Sequence, residues 1–103
     1  MKTEISKQIE IMKTTAIPKW FKLTKDYEGF KKGAIMLLGD ENTGEYFDIT
    51  TEMTTGASYS TYTMDTDFLT PFKKNECIVL SKMLSDFINE NYPSDPNHKI
   101  LTF

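Results

Sequence analysis

The sequence predicts an α+β fold: a small, strongly bent antiparallel sheet of four to five strands with one C-terminal helix. Three observations lead there. Short apolar runs separated by glycine-bearing turns fill residues 16–49. A Thr- and Tyr-rich stretch follows, and those residue types favour strands. An amphipathic stripe then runs from Asn75 to Tyr92. A sheet followed by one covering helix is a two-layer α+β pattern. The 103 residues suit a single domain, 1–103, with the sheet over about 8–72 and the helix over about 75–92.

The first fifteen residues carry two competing signals. Ile5, Ile9 and Met12 lie at helical spacing, while Ile9 and Ile11 alternate as in a strand. The alternation is taken, giving a strand over Gln8–Lys13. Lys19–Thr24 is the next strand, with Trp20 and Phe21 both demanding burial and Pro18 suiting its start. Lys25–Gly33 is polar and holds two glycines, so it is a loop. Ala34–Leu38 is a continuous apolar run of strand length. The turn cluster 39–44 and the returning run Glu45–Ile49 complete a hairpin signature.

Thr54-Thr55-Gly56 reads as a loop, and Tyr59–Met64 as a strand. Asp67-Phe68-Leu69 is a further short strand, stopped by Pro71. In the helix, Leu80, Met83, Leu84, Phe87 and Ile88 form the buried stripe, extended by Cys77 and Tyr92. Asn75 is its expected N-cap, and Pro93 ends it. Ser94–Lys99 is a turn, and Ile100–Phe103 a last strand or a packed apolar tail.

The stretch from about Trp20 to Phe72 resembles a small SH3-like barrel. Three features carry the resemblance. An aromatic strand leads into a long polar loop, Thr24 to Phe30. The Lys31-Lys32-Gly33 turn launches the apolar strand Ala34–Leu38. The polar turn 39–44 is followed by a returning strand. The Ala-Leu-Tyr-Asp-Tyr signature of eukaryotic SH3 domains is absent, and no tryptophan follows Leu38, so proline-motif binding is not implied. The small size, the AT-rich residue usage and the lack of catalytic motifs resemble those of an accessory protein from a bacteriophage or mobile element.

Composition narrows the function classes. Apolar residues make up 39% and aromatics 13%, too many for a disordered chain. Net charge is −3, whereas nucleic-acid-binding domains usually carry a basic stripe or a pI above about 9. All 12 basic residues are Lys, so the guanidinium fork that reads guanine and phosphate is missing. Cys77 is the single cysteine, which leaves no internal disulfide. Met1-Lys2-Thr3-Glu4 does not open a signal peptide, and no apolar run approaches the roughly 18 residues of a membrane span. A cytoplasmic setting is expected, that of a bacterial host if the protein is phage-encoded.

No catalytic motif is present, and no cofactor or metal site is expected. Asp40, Asn42, Gly44, Asp48 and Glu52 fall one place out of step with a calcium loop, whose sixth residue is glycine and twelfth an acid. Cys77 and His98 lack the partners for a zinc site or a nucleophile pair. The carboxylate pairs Asp26/Glu28 and Asp65/Asp67 read as solvated edges.

The expected role is therefore that of a non-catalytic interaction protein, a phage-type factor that binds and inhibits or redirects a host protein. Its candidate surface comprises Tyr27, Glu28, Tyr46, Tyr59, Tyr62, Asp65 and Asp67. Exposed tyrosine anchors interfaces, and acidic loops steer toward a basic partner. The alternative is a small barrel binding single-stranded nucleic acid through Lys22, Lys25, Lys31 and Lys32 with neighbouring aromatics, which the overall charge disfavours. A second alternative is a structural subunit that assembles into homo-oligomers through its edge strands.

Overall fold

The computed structural model describes residues 4–92. In chain order its first elements are α1 (Glu4–Thr14), β1 (Trp20–Leu23), β2 (Ile35–Asp40) and β3 (Glu45–Asp48). Then come α2 (Ile49–Thr55), β4 (Ser60–Thr61), a 3-10 turn (Thr66–Phe68), β5 (Leu69–Pro71) and α3 (Lys74–Asn91). These make two compact units, one of residues 4–18 and 73–92, the other of residues 19–72.

The first unit pairs α1 with α3. The strand expected over Gln8–Lys13 is instead helical, because Gln8, Ile9 and Met12 share one buried face at helical spacing. In α3 the buried stripe is Cys77, Ser81, Leu84, Ser85 and Ile88. Two small serines lie in the middle of that stripe, and Met83, expected within it, is exposed. Neighbouring residues of a helix differ by about 100° in direction, so centring the face on Leu84 turns Met83 outward. Lys73 rather than Asn75 is the N-cap, and its backbone N–H donates to Glu76 Oε1 at 2.9 Å. The turn and tail expected from Ser94 to Phe103 lie outside the described residues.

The second unit is a five-stranded antiparallel sheet in the order β4-β3-β2-β1-β5. It is an α+β arrangement as expected, but the sheet stays open, with β4 and β5 as its two edges. Pro71 is the last residue of β5, where an edge strand tolerates its missing N–H. Asp67 and Phe68, expected as strand, form the 3-10 turn that leads into β5.

β2 is the centre of the sheet and is enclosed on both sides. Met36 and Leu38 face a cluster with Leu23, Ala34, Tyr46, Met64 and Leu69. Phe21, Tyr27, Phe30 and Phe68 pack onto that cluster. On the opposite face Trp20, Leu37 and Phe47 lie in register across three strands, all buried. A β-bulge between Leu38 and Asp40 marks where β2 bends. Gly39 sits in it, because a Cβ there would lie 2.7 Å from the Phe47 ring.

β3 does not continue through Ile49 as expected. Asp48 stops it by capping α2, accepting from Thr51 N–H at 3.1 Å and from the Thr51 hydroxyl at 2.6 Å. Gly56, in the left-handed region, closes the helix by donating its N–H to the Glu52 carbonyl at 2.8 Å. The stretch expected as loop at Thr54-Thr55 is thus the last turn of a short helix.

Gly39→Ala should lower stability by about 1–3 kcal/mol, the usual cost of overpacking, since the buried Phe47 ring has no room to yield. Urea unfolding checks this, and an unchanged midpoint would contradict the packing at the bulge.

Candidate functional site

The most exposed aromatic side chains of the described sheet unit bracket its shortest strand. Tyr59 directly precedes β4 and Tyr62 directly follows it, and each is 51% exposed. Alternation along one strand would put Tyr59, Thr61 and Thr63 on one face, with Tyr62 and Met64 on the other. The structure does not keep that alternation. Thr61 and Met64 are buried, while Tyr59, Tyr62 and Thr63 all reach solvent.

The backbone explains the change. Thr63 has φ +56°, the left-handed region, which a β-branched residue rarely enters. Its N–H donates to the Thr43 carbonyl at 3.0 Å, and its hydroxyl donates to the Tyr62 carbonyl at 2.6 Å. The approach depends on Gly44, where a Cβ would stand 3.2 Å from the Thr63 Cα. The 41–44 turn thereby anchors the chain just after Tyr62. On the other side, the Tyr59 carbonyl accepts from Asp48 N–H at 3.0 Å. Tyr59 and Tyr62 are thus half-exposed rings on anchored backbone, at an edge whose outer side carries no strand among the described residues.

Asp65 and Asp67 follow on the same segment and are exposed. Asp65 Oδ1 accepts from Asp67 N–H at 2.9 Å and so caps the 3-10 turn. Phe68 ends that turn and joins it to the β1–β2 loop. Its carbonyl accepts from Thr24 N–H at 2.7 Å, its ring lies 5.4 Å from that of Tyr27, and Lys25 Nζ sits 5.5 Å from the ring centre. Tyr27 is half-buried, and Tyr27 and Phe30 close a two-residue turn with reciprocal N–H to carbonyl bonds of 2.9 and 2.7 Å. Glu28 and Gly29 fill it with φ +44° and +94°, a geometry that normally selects Asn-Gly. The structure thus brings Tyr27 beside the Asp65–Phe68 turn, and places Tyr59 and Tyr62 at the β4 edge.

Tyr46 does not belong to this surface. It is 5% exposed and stacks edge-on against Phe21 with ring centres 5.5 Å apart. All four residues of β3 are buried, so no alternation marks an outer side. Burial, and secondarily the charge of Glu41, push the Tyr46 phenol above its ordinary range.

Lys22, Lys25, Lys31 and Lys32 are all exposed. The aromatic rings interleaved with them are turned inward, with Phe21, Tyr27 and Phe30 packed on the core cluster. Asp26 Oδ1 accepts from Lys32 N–H at 2.8 Å, so this carboxylate staples the loop rather than pairing with Glu28. Among the described residues no group of three or more His, Cys, Asp and Glu side chains is placed to hold a metal ion. No described helix is long and apolar enough to cross a membrane. Cys77 is buried, and His98 lies outside the described residues.

Thr63 is the feature that residue types alone did not mark. Its conformation comes from the approach of Gly44, which no local pattern announces. No protein-family model matches the chain, and no curated protein or solved structure is significantly similar to it.

Two outcomes follow. Thr63→Asn keeps the N–H and better tolerates the left-handed conformation, so stability should rise by about 1 kcal/mol in urea unfolding. A raised phenol pKa means that the folded state favours the protonated form. Stability from Tyr46 is therefore intact below about pH 10 and is lost as pH climbs through the folded-state pKa. Unfolding free energies measured from about pH 8 to 11 should fall less steeply for Tyr46→Phe than for the parent.

Proposed function

We propose that this protein acts by binding a protein partner along the β4 edge, with Tyr59 and Tyr62 as anchors and Asp65 and Asp67 as steering charges. The observation that carries the reading is the exposure of two tyrosines on both flanks of an open edge strand. Tyrosine offers a large contact area at low conformational cost and recurs among the residues that dominate binding energy. The backbone on either side is already hydrogen-bonded, so little ordering is left for the moment of binding. The exposed acids and the chain's net charge of −3 favour a partner with a basic face. The style of the sequence, which resembles phage accessory proteins, makes a host protein that is inhibited or redirected the class of target.

The same edge would also accept an extended segment by strand addition, since among the described residues the outer side of β4 carries no neighbouring strand. Single-stranded nucleic acid remains the second reading, resting on the exposed Lys22, Lys25, Lys31 and Lys32. The inward packing of Phe21, Tyr27 and Phe30 favours the first reading, because it removes the stacking platforms.

The test is an affinity capture from nuclease-treated bacterial lysate at moderate salt, read by mass spectrometry. One stoichiometric protein is expected. Tyr59→Ala and Tyr62→Ala should each weaken its capture by roughly 30-fold, the equivalent of about 2 kcal/mol, with circular dichroism unchanged. Equal capture by the parent and both variants would contradict the reading. Loss of every captured species on nuclease treatment would transfer the assignment to nucleic acid.

A further inference from the structure

We infer that the partner engages as an extended segment bearing lysine or arginine, which adds to the sheet as a further strand beside β4. The inference rests on the β4-edge reading above and names the form and the charge of the bound element.

The pairing of β3 with β4 fixes which backbone groups look outward. Asp48 N–H donates to the Tyr59 carbonyl at 3.0 Å, and Tyr46 lies opposite Thr61. Bonded residues alternate along an antiparallel pair, so Tyr59 and Thr61 turn their backbone polar groups toward β3. Thr63 continues the alternation by donating its N–H to the Thr43 carbonyl. Ser60 and Tyr62 therefore turn theirs away from the sheet. The Tyr62 carbonyl accepts from the Thr63 hydroxyl at 2.6 Å. The Ser60 N–H, the Ser60 carbonyl and the Tyr62 N–H have no partner among the described residues. They recur at the two-residue spacing that an added strand uses.

The two edges of the sheet differ in how they are guarded. Proteins blunt an edge strand with proline or charge. β5 ends on Pro71, whereas from Met53 to Met64 the chain has neither proline nor a charged residue. β4 is short, so an added strand gains only a few bonds there, and Tyr59 and Tyr62 supply contact area on either side.

Charge selects the occupant. From Gly33 to Phe72 the chain has seven acids and no basic residue. Some stand on the elements next to β4. Glu45 and Asp48 belong to β3, and the Glu52 carboxylate of α2 accepts from the Ser58 hydroxyl at 2.7 Å. The lysines of this unit lie on β1 and the segments beside it, and Lys19 pairs with Glu41 at 3.8 Å. β1 is three strands away from β4, about 14 Å at the usual strand spacing. A second copy docked edge to edge would set two acidic margins against each other, whereas a basic segment is attracted.

Fluorescence anisotropy with the full chain tests this, using a labelled octapeptide of alternating lysine and valine as the probe. Binding should saturate by about 1 mM. The same peptide methylated at every backbone nitrogen keeps its side chains but cannot join a sheet, and should bind at least about tenfold more weakly. Glutamate in place of lysine should cost about as much. Ser60→Pro removes an N–H that the sheet does not use, and should weaken binding about tenfold with circular dichroism unchanged. Ser60→Ala, which keeps that N–H, should bind as the parent does. The methylated peptide poses the same question without altering the protein. Equal binding after methylation, or with glutamate for lysine, overturns the inference, as does no binding at about 1 mM. Equal losses for Ser60→Pro and Ser60→Ala would assign the effect to the side chain and also overturn it. A lysate partner lost on Tyr62→Ala but retained by Ser60→Pro would remove strand addition while the β4-edge reading stands. A partner retained by Tyr62→Ala would remove that reading itself.

Discussion

The sheet unit depends on the enclosure of β2 from both sides. A strand with solvent on one face can bend and twist to suit its core, but a strand packed on two faces fixes its neighbours in both directions. Phe21, Met36 and Tyr46 settle one layer, and the Trp20–Leu37–Phe47 row settles the other. The bulge at Gly39 follows from this, because the Phe47 ring occupies the space a side chain would need. Tyr46 is buried in that frame, and burial, with the charge of Glu41 second, pushes its phenol above the ordinary range.

Irregularity accumulates toward the sheet margins. β4 has two residues, and the chain leaves it through a left-handed threonine. The β1–β2 loop turns through a left-handed glutamate. Both positions are held by backbone hydrogen bonds, and both present their side chains to solvent. Conformations of this kind persist only where surrounding structure over-determines them, and they gather at sites of function. The energy of the double-sided core is what permits a short, conformationally costly edge to stay ordered.

Much of the framework is legible in the sequence. β1, β2 and β3 follow from the aromatic pair at 20–21, the apolar run at 34–38 and the turn at 39–44, all local signals. α3 follows from its periodicity, although its buried face was misjudged because Ser81 and Ser85 count as polar in any apolar tally. α1 is masked in the sequence because Ile9 and Ile11 alternate by chance on a helix whose inner face is Gln8, Ile9 and Met12. α2 has no clear signal because threonines suggest strand, whereas Asp48 and Gly56 frame a helix of seven residues. The site was half legible. Tyr59 and Tyr62 are expected at the surface from residue type, whereas the left-handed turn at Thr63, packed against a glycine far from it in sequence, has no local signal. Tyr46 could not be excluded from the surface by pattern, since a strand buried on both faces shows no alternation.

The proposed function requires a partner to engage the β4 edge. Hydrogen exchange of the backbone amides, compared for the protein alone and with its captured partner, tests that most directly. New protection is expected at Ser60, Thr61 and Tyr62, with the amides of β2 unchanged. New protection confined to the loop from Lys22 to Lys32, with the β4 edge exchanging as before, would contradict it.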